Sequence, residues 1–206
     1  MECEIMIPAK SSDYDLPDSY DNIEQTLITV DKILSDAVEN AKTLFHSLTV
    51  SSIKDSKIVS RVMVLREFNL KERFMRFHTD YRAPKIEQYK INNTATVLGY
   101  DPILKVQIKL QGTIESHYHN SITKGAWDGS TTRSKKCYSV RGGSSLQIDD
   151  PNEYDLKDGN IEDGYMNFAV LIFKFDSLEF LHLKSSGHRR AIHTWDDVYK
   201  SSWLVP

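Results

Sequence analysis

Leu104-Lys105-Val106-Gln107-Ile108-Lys109-Leu110-Gln111-Gly112-Thr113-Ile114 alternates apolar with polar residues almost throughout. Successive side chains of a strand point to opposite faces, so Leu104, Val106, Ile108, Leu110 and Ile114 share one side. Lys105, Gln107, Lys109, Gln111 and Thr113 share the other. The stretch predicts a strand with one face in a core and the other available for polar work.

Working outward, Lys57 to Glu67 and Glu72 to Thr79 are rich in Val, Met, Phe and Ile and are separated by the polar link Asn69-Leu70-Lys71, which reads as a β-hairpin. A short helix is expected over Ile86 to Ile91 and a strand over Thr94 to Tyr100. Residues 117 to 164 are rich in Gly, Ser and Asp with little period and read as loop and short helix, a lid or an interface insert. Strands are expected again over Asn167 to Phe175, Leu178 to Lys184 and His188 to Thr194. Upstream, Ile23, Leu27, Val30, Leu34, Ala37, Val38, Ala41, Leu44 and Phe45 recur at helical spacing, with Asp21 and Glu24 placed as N-cap and N3 partner. Residues 1–20, with Pro8 and Pro17, read as an N-terminal arm suited to lie on a partner subunit, and 21–206 as one domain. A helix followed by many antiparallel strands, with one short helix inserted, predicts a mainly β barrel with peripheral helices rather than a parallel α/β sheet.

Composition removes several classes. The chain has 206 residues and a formal charge of -3, with acidic and basic residues interspersed, so it lacks the basic field that holds nucleic acid. Its two cysteines, Cys3 and Cys137, suggest a reducing compartment without a disulfide framework. Met1-Glu2-Cys3-Glu4 is acidic where a signal peptide is basic, and no apolar run reaches the ~20 residues of a membrane span. A cytoplasmic protein with no membrane partner is expected. There is no Gly-rich phosphate loop, G-x-S-x-G, H-E-x-x-H or C-x-x-C. His117 and His119, or His182, His188 and His193, have no Cys or carboxylate at a convincing ligand spacing, so no metal is expected.

The positive signal is cationic and hydroxyl residues at strand ends. Arg61 and Arg66 lie in the first hairpin strand, Thr79 ends the second, and Arg82 and Lys85 fall at the start of the short helix. Guanidinium forks, an ammonium and a hydroxyl can converge there on a phosphate dianion.

Order and spacing then bring a family into view. Ser60-Arg61-Val62-Met63-Val64-Leu65-Arg66, Phe77-His78-Thr79-Asp80 with Lys85 behind it, and Lys105-Val106-Gln107-Ile108-Lys109-Leu110-Gln111-Gly112 resemble three blocks of the pyridoxamine 5'-phosphate oxidase family. Those blocks are R-x-V-L-L-K, F-Y-T-N with a downstream R-K, and R-Q-V-x-V-x-G, in the same order. Gly125-Ala126-Trp127 with Thr131-Thr132 is similar to the family's G-A-W and Gln-Ser pair. Leu178-Glu179-Phe180, His188-Arg189-Arg190 and the closing Trp203-Leu204-Val205-Pro206 resemble its I-E-F-W, H-D-R and R-L-A-P.

The resemblance implies an antiparallel FMN-binding split β-barrel, with FMN as cofactor, and a homodimer with the flavin at the subunit interface. It implies that Arg61 and Lys85 neutralise the FMN phosphate, that Thr79, beside His78, donates a hydroxyl, and that Val62, Met63 and Val64 offer backbone groups to the isoalloxazine edge. Gln107 and Arg190 would come from the other subunit to the ring and ribityl side. Thr131 and Thr132 keep a hydroxyl where the family has Gln-Ser, and Arg66 and His188 would face the substrate. The chain also departs from the pattern. Pro84 stands at the arginine of the R-K pair, with Arg82 as candidate replacement, and Leu181 stands at the indole. Ser186 replaces the first arginine of R-x-H-x-R, and Ile114, Tyr118 and Ile122 replace the Tyr, Arg and Ser of the substrate-phosphate grip. The reading is a flavoprotein oxidoreductase with altered substrate residues and no assigned catalytic side chain. Two other classes stand beside it: a protein holding FMN or haem without turnover, and a regulatory dimer with a vestigial site.

Overall fold

The computed structural model describes residues 14, 16–154 and 161–206. Its strands are β1 (Ser47–Lys54), β2 (Lys57–Asn69), β3 (Phe74–Asp80), β4 (Thr94–Asp101), β5 (Val106–Tyr118), β6 (Phe168–His182), β7 (Arg189–Trp195) and β8 (Tyr199–Leu204). The helices are α1 (Glu24–Glu39), α2 (Lys85–Ile91), α3 (Ser121–Asp128) and α4 (Thr132–Lys136). All strand pairings are antiparallel, in the order β3-β2-β1-β4-β5-β6-β7-β8, and β3 also pairs with β6. That last pairing closes the first six strands into a barrel and leaves β7 and β8 as an extension. The mainly β split barrel expected from the sequence is the fold observed.

One strand makes the closure possible. The first half of β6, Phe168 to Lys174, lies between β3 and β5, and its second half, Ser177 to His182, lies between β5 and β7. The sequence suggests two strands here, broken at Asp176-Ser177; β6 instead runs on for 15 residues. It bends at an irregularity opposite Gln111 and Gly112 on β5. Gly112 is required there, because a Cβ on it would lie 2.0 Å from the Lys174 carbonyl oxygen and 2.7 Å from Phe175 Cα.

Leu104 and Lys105 belong to the turn before β5, and the alternating stretch behaves as read from Val106 on, where Val106, Ile108, Leu110 and Ile114 are buried. With Leu48, Val50, Leu65, Phe77, Val97, Phe173 and Phe180 they fill the barrel, and Val30, Ile33, Leu34 and Ala37 of α1 join the same core. Each of the Val, Leu, Ile and Phe side chains contributes ~1.5–3 kcal/mol on leaving water. Under α3, Ala126, Trp127, Phe168 and Val170 form a second, smaller core.

Several expected boundaries move. The first helix ends at Glu39, and Phe45 lies in a separate 3-10 turn where Thr43 accepts from the Phe45 N–H. Apolar spacing carried past the helix because Leu44 and Phe45 happen to continue its period. Asp21 does not cap α1: Ile23 holds the cap position, Asn22 Oδ1 accepts from the Glu24 N–H, and Asp21 pairs with Arg189 at 3.3 Å. Strands β1 and β8 were not expected, since Ser47 to Ser52 and Tyr199 to Ser202 carry few large apolar residues. Most of the expected arm, residues 1–13 and 15, lies outside the described residues, as does Cys3. Tyr20, at its end, is fully buried in the domain's own core. Among the described residues no helix is long and apolar enough to cross a membrane.

Candidate cofactor site

Arg61 is in register with Val50 on β1, Val50 with Val97 on β4, and Val97 with Leu110 on β5, so Arg61 stands on the core side of the sheet. There it meets α2. Its Nη1 donates to Ser52 Oγ at 2.8 Å, to the Val50 carbonyl at 3.3 Å and to Tyr89 Oη at 3.4 Å, and its Nη2 donates to Gln88 Oε1 at 3.3 Å. Every acceptor is neutral. Lys85, the first residue of α2, donates through Nζ to Thr79 Oγ1 at 3.1 Å. Burial and the Arg61 charge hold the Lys85 ammonium below the usual lysine range, against the pull of Asp80. Burial pushes the Tyr89 phenol up, against the Arg61 charge and a Ser52 hydrogen bond.

Two close cations, neither in an ion pair with a carboxylate among the described residues, are unfavourable alone and are relieved by an anion. A hydroxyl beside them supplies a further donor. This is the donor set that a phosphate monoester requires, so Arg61, Lys85 and Thr79 fit the terminal phosphate of FMN. Arg82 does not join them. Its guanidinium grips Asp80, with Nε 3.0 Å from Oδ1 and Nη2 2.7 Å from Oδ2, and also donates to the Val140 carbonyl. It does not replace the arginine missing at Pro84.

The backbone of β2 adds a second feature. The β2–β3 ladder stops at Leu65, opposite Phe77, although β3 runs on to Asp80 in register with β6, and β1 pairs with β2 as far as Val64. Along the β3 edge, Val62, Met63 and Val64 therefore have no strand partner among the described residues. Val62 is 67% exposed while Met63 is buried. Backbone groups on an open edge can hydrogen-bond a flat heterocycle, which is the role the resemblance implies for them.

Across the ribbon from Arg61, a cleft of about 230 Å3 lies between β2, β3 and the α3–α4 link. It brings together Arg66, His78 and Thr131, and adds Arg76, which the sequence reading missed. Burial first, then the charges of Arg76 and Arg66, lower the His78 pKa to about 3. Thr132 begins α4, is exposed and does not line the cleft.

Gln107, Leu181 and Arg190 form one cross-strand row on the outer face of β5, β6 and β7, continued by Tyr100 and Leu204. Arg190 donates to Glu179 Oε2 through Nη2 at 2.6 Å and Nε at 3.1 Å, and Lys109 pairs with the same carboxylate. Burial opposes the Glu179 charge, yet these two cations hold its pKa below the usual range. Because Gln107 alternates with buried Val106 and Ile108, this row lies on the opposite face from Arg61. His188 accepts from the Lys184 N–H and shares a further cleft with Arg190, Tyr20, Asp21 and Trp203. Within one chain, then, Arg61 with Lys85 and Thr79, Arg66 with His78 and Thr131, and Arg190 with Gln107 and His188 fall in three places, and Arg82 and Thr132 join none of them.

The altered substrate positions form no anion grip. Ile114 is buried, Ile122 is 39% exposed, and Ser186 is exposed. Tyr118 stacks on Tyr81 with ring centroids 3.5 Å apart and donates to the Met166 carbonyl. The sequence reading also missed the groups that hold Arg61. Gln88 and Tyr89 sit three and four residues after Lys85 on one helix face, a readable signal; Ser52 lies on a strand that was not expected.

A six-stranded antiparallel barrel with a two-stranded extension and an open β2 edge is the split-barrel class, here with a cationic corner whose hydrogen-bond acceptors are neutral. Residues 29–117 match the family model for the pyridoxamine 5'-phosphate oxidase FMN-binding domain. No curated protein matches the chain by sequence. Among solved structures, a pyridoxamine 5'-phosphate oxidase-related, FMN-binding protein from Nostoc punctiforme is similar at 16% identity, with TM-score 0.70 over 87% of this chain and 96% of its own. PhzG from Burkholderia lata, solved with tetrahydrophenazine-1-carboxylic acid, is similar at 18% identity, with TM-score 0.66 over 89% and 90%. A Clostridium acetobutylicum protein related to general stress protein 26 is similar at 14% identity, with TM-score 0.53 over 81% and 94%. At these identities the three structures establish the fold.

Proposed function

We propose that the chain is an FMN-dependent oxidoreductase that works as a homodimer. The observation that carries the reading is the pairing of Arg61 with Lys85 beside Thr79: two adjacent cations whose hydrogen-bond acceptors are all neutral. FMN, when bound, supplies hydride and electron transfer. The protein's part is to hold the phosphate on Arg61, Lys85 and Thr79 and to offer the open edge at Val62, Met63 and Val64 to the ring.

The same geometry supports the dimer. Gln107 and Arg190 face away from Arg61, so a flavin seated at Arg61 can meet such residues only from a second copy. The outer sheet face also carries Val62, Leu98 and Tyr100, which are 67%, 36% and 46% exposed, an apolar strip that a second copy would cover. The composition and cysteine usage suit the cytoplasm.

Extraction of the cofactor from purified protein followed by chromatography tests the reading. FMN is expected, and FAD or no flavin would count against it. Reoxidation of the reduced holoprotein by a defined acceptor faster than free reduced FMN separates an oxidoreductase from a protein that only holds flavin.

A further inference from the structure

Gln88 lies one turn beyond Pro84, the position of the arginine missing from the R-K pair, and its backbone N–H donates to the Pro84 carbonyl at 3.2 Å. A helical side chain leans over the turn that precedes it, so the Gln88 amide lies over the place of the lost guanidinium, on the same face as Lys85. Arg61 Nη2 donates to Gln88 Oε1 at 3.3 Å. A guanidinium only donates, so the amide oxygen must face Arg61 and the amide nitrogen is turned away from it. Gln88 is half-buried, and its Nε2 has no partner among the described residues and is open to water.

The other polar groups of the corner are already engaged. Ser52 Oγ and Tyr89 Oη accept from Arg61, Thr79 Oγ1 accepts from Lys85, and Arg82 is held by Asp80 and the Val140 carbonyl. A phosphate monoester presents three terminal oxygens, more acceptor sites than Arg61, Lys85 and the Thr79 hydroxyl fill.

We propose that Gln88 is a ligand of the phosphate seated on Arg61 and Lys85, its amide nitrogen donating to a phosphate oxygen where Pro84 leaves no guanidinium. The proposal rests on the reading of this corner as the seat of the FMN phosphate. Gln88 then has two tasks: its oxygen holds Arg61 in place and its nitrogen binds the anion. An amide in the place of a guanidinium also sets the charge of the corner. Two cations remain to match a phosphate monoester of about -1.5 to -2 at pH 7, and binding depends less on salt than it would with a third cation.

The test is NMR of the full chain labelled with 15N-glutamine, the Gln88 side-chain amide being assigned by its loss in Gln88→Ala. FMN, riboflavin and inorganic phosphate are the probes. The Gln88 amide protons are expected to move downfield with FMN and with inorganic phosphate, and to stay in place with riboflavin, which lacks the phosphate. In parallel, Gln88→Ala should weaken FMN binding roughly tenfold or more, as for loss of a hydrogen bond to a charged group, and leave riboflavin affinity unchanged. Amide protons that neither FMN nor phosphate moves overturn the proposal even where Gln88→Ala weakens FMN, since the residue then acts only by holding Arg61. Equal losses of FMN and riboflavin affinity overturn it too, because Gln88 would then serve the fold and not the phosphate. Flavin absorbance of the same samples reports the cofactor reading separately. A phosphate-induced shift without flavin binding keeps Gln88 as an anion ligand and sinks the FMN reading, whereas bound FMN with unmoved amide protons does the reverse.

Discussion

Lys85 donates through Nζ to Thr79 Oγ1 at 3.1 Å, tying the first turn of α2 to the end of β3. The bond holds an ammonium beside the Arg61 guanidinium, which itself rests on Ser52, Gln88 and Tyr89. Three elements thus carry the cost of keeping two positive charges together, and an incoming phosphate meets them already placed.

Arg61→Ala is expected to weaken FMN binding by ~1.5–3 kcal/mol, roughly ten- to a hundred-fold, because a charge-assisted phosphate contact is lost. Arg66→Ala should cost less, since Arg66 opens into the other cleft. Fluorescence titration of both variants with FMN decides it, and equal losses would remove the phosphate role of Arg61.

A mixed dimer should show complementation. Combining one Arg61→Ala chain with one Arg190→Gln chain leaves one site with both defects and one site intact. Glu179 keeps Lys109 as a partner in the second chain. Flavin content of the isolated heterodimer is expected near half that of the unmodified dimer, while each variant homodimer binds weakly at both sites. Heterodimers no better than the homodimers would show that the site is not shared.

Pyridoxamine 5'-phosphate should be oxidised poorly or not at all by the flavin-loaded protein. Ile114 is buried, Tyr118 is engaged with Tyr81 and Met166, and neither Ile122 nor Ser186 offers a cation. A phosphate clamp positions the substrate for the transition state, so its loss depresses turnover as well as affinity. The measurement is pyridoxal 5'-phosphate formation under air with saturating FMN, and turnover matching an authentic oxidase would refute the expectation.

Acid should loosen the contact between α1 and the β7–β8 extension. His193 is fully buried; its Nε2 lies 2.8 Å from Thr26 Oγ1 and its Nδ1 lies 2.9 Å from Tyr199 Oη. Thr26 already donates to the Ile23 carbonyl, which leaves it as acceptor for Nε2–H and leaves Nδ1 to accept from Tyr199. Burial lowers the His193 pKa from 6.5 to about 4. A histidine depressed in the fold contributes stability that is present above pH 6.5 and is lost as pH falls towards 4. Urea unfolding between these limits should show the decline, and His193→Gln should flatten its slope. An unchanged slope in the variant would assign the decline to other groups.

Gly112→Ala should destabilise the fold by ~1–3 kcal/mol or more, in the range of overpacking, because the added methyl meets backbone that cannot swing away. Its nearest contact would be the Lys174 carbonyl oxygen at 2.0 Å. Thermal unfolding checks this. A variant as stable as the parent would mean that β6 can shift without breaking its pairings to β3 and β5.

The sequence by itself determined the local patterns and singled out the residues of the cationic corner. Alternation in Val106 to Ile114 specifies a half-buried strand, because a one-residue slip would turn every apolar side chain to water. Arg61, Thr79 and Lys85 were legible because each lies in a local motif of a few residues, Arg61 within β2, Thr79 near the end of β3 and Lys85 at the start of α2. Tertiary structure alone decided the remainder. Ser52 reaches Arg61 through a strand with too few apolar residues to signal itself, and Arg82 was lost to the site because Asp80 and Val140 capture its guanidinium. Arg76 and His78 read as ordinary strand residues until the α3–α4 link covers them and leaves two nitrogens without partners. Barrel closure hangs on one long strand changing neighbours at Gly112, and the separation of Gln107 and Arg190 from Arg61 follows from strand parity across a closed sheet. These are long-range relations, and residue spacing along a chain encodes the period of a strand but not which strand it meets.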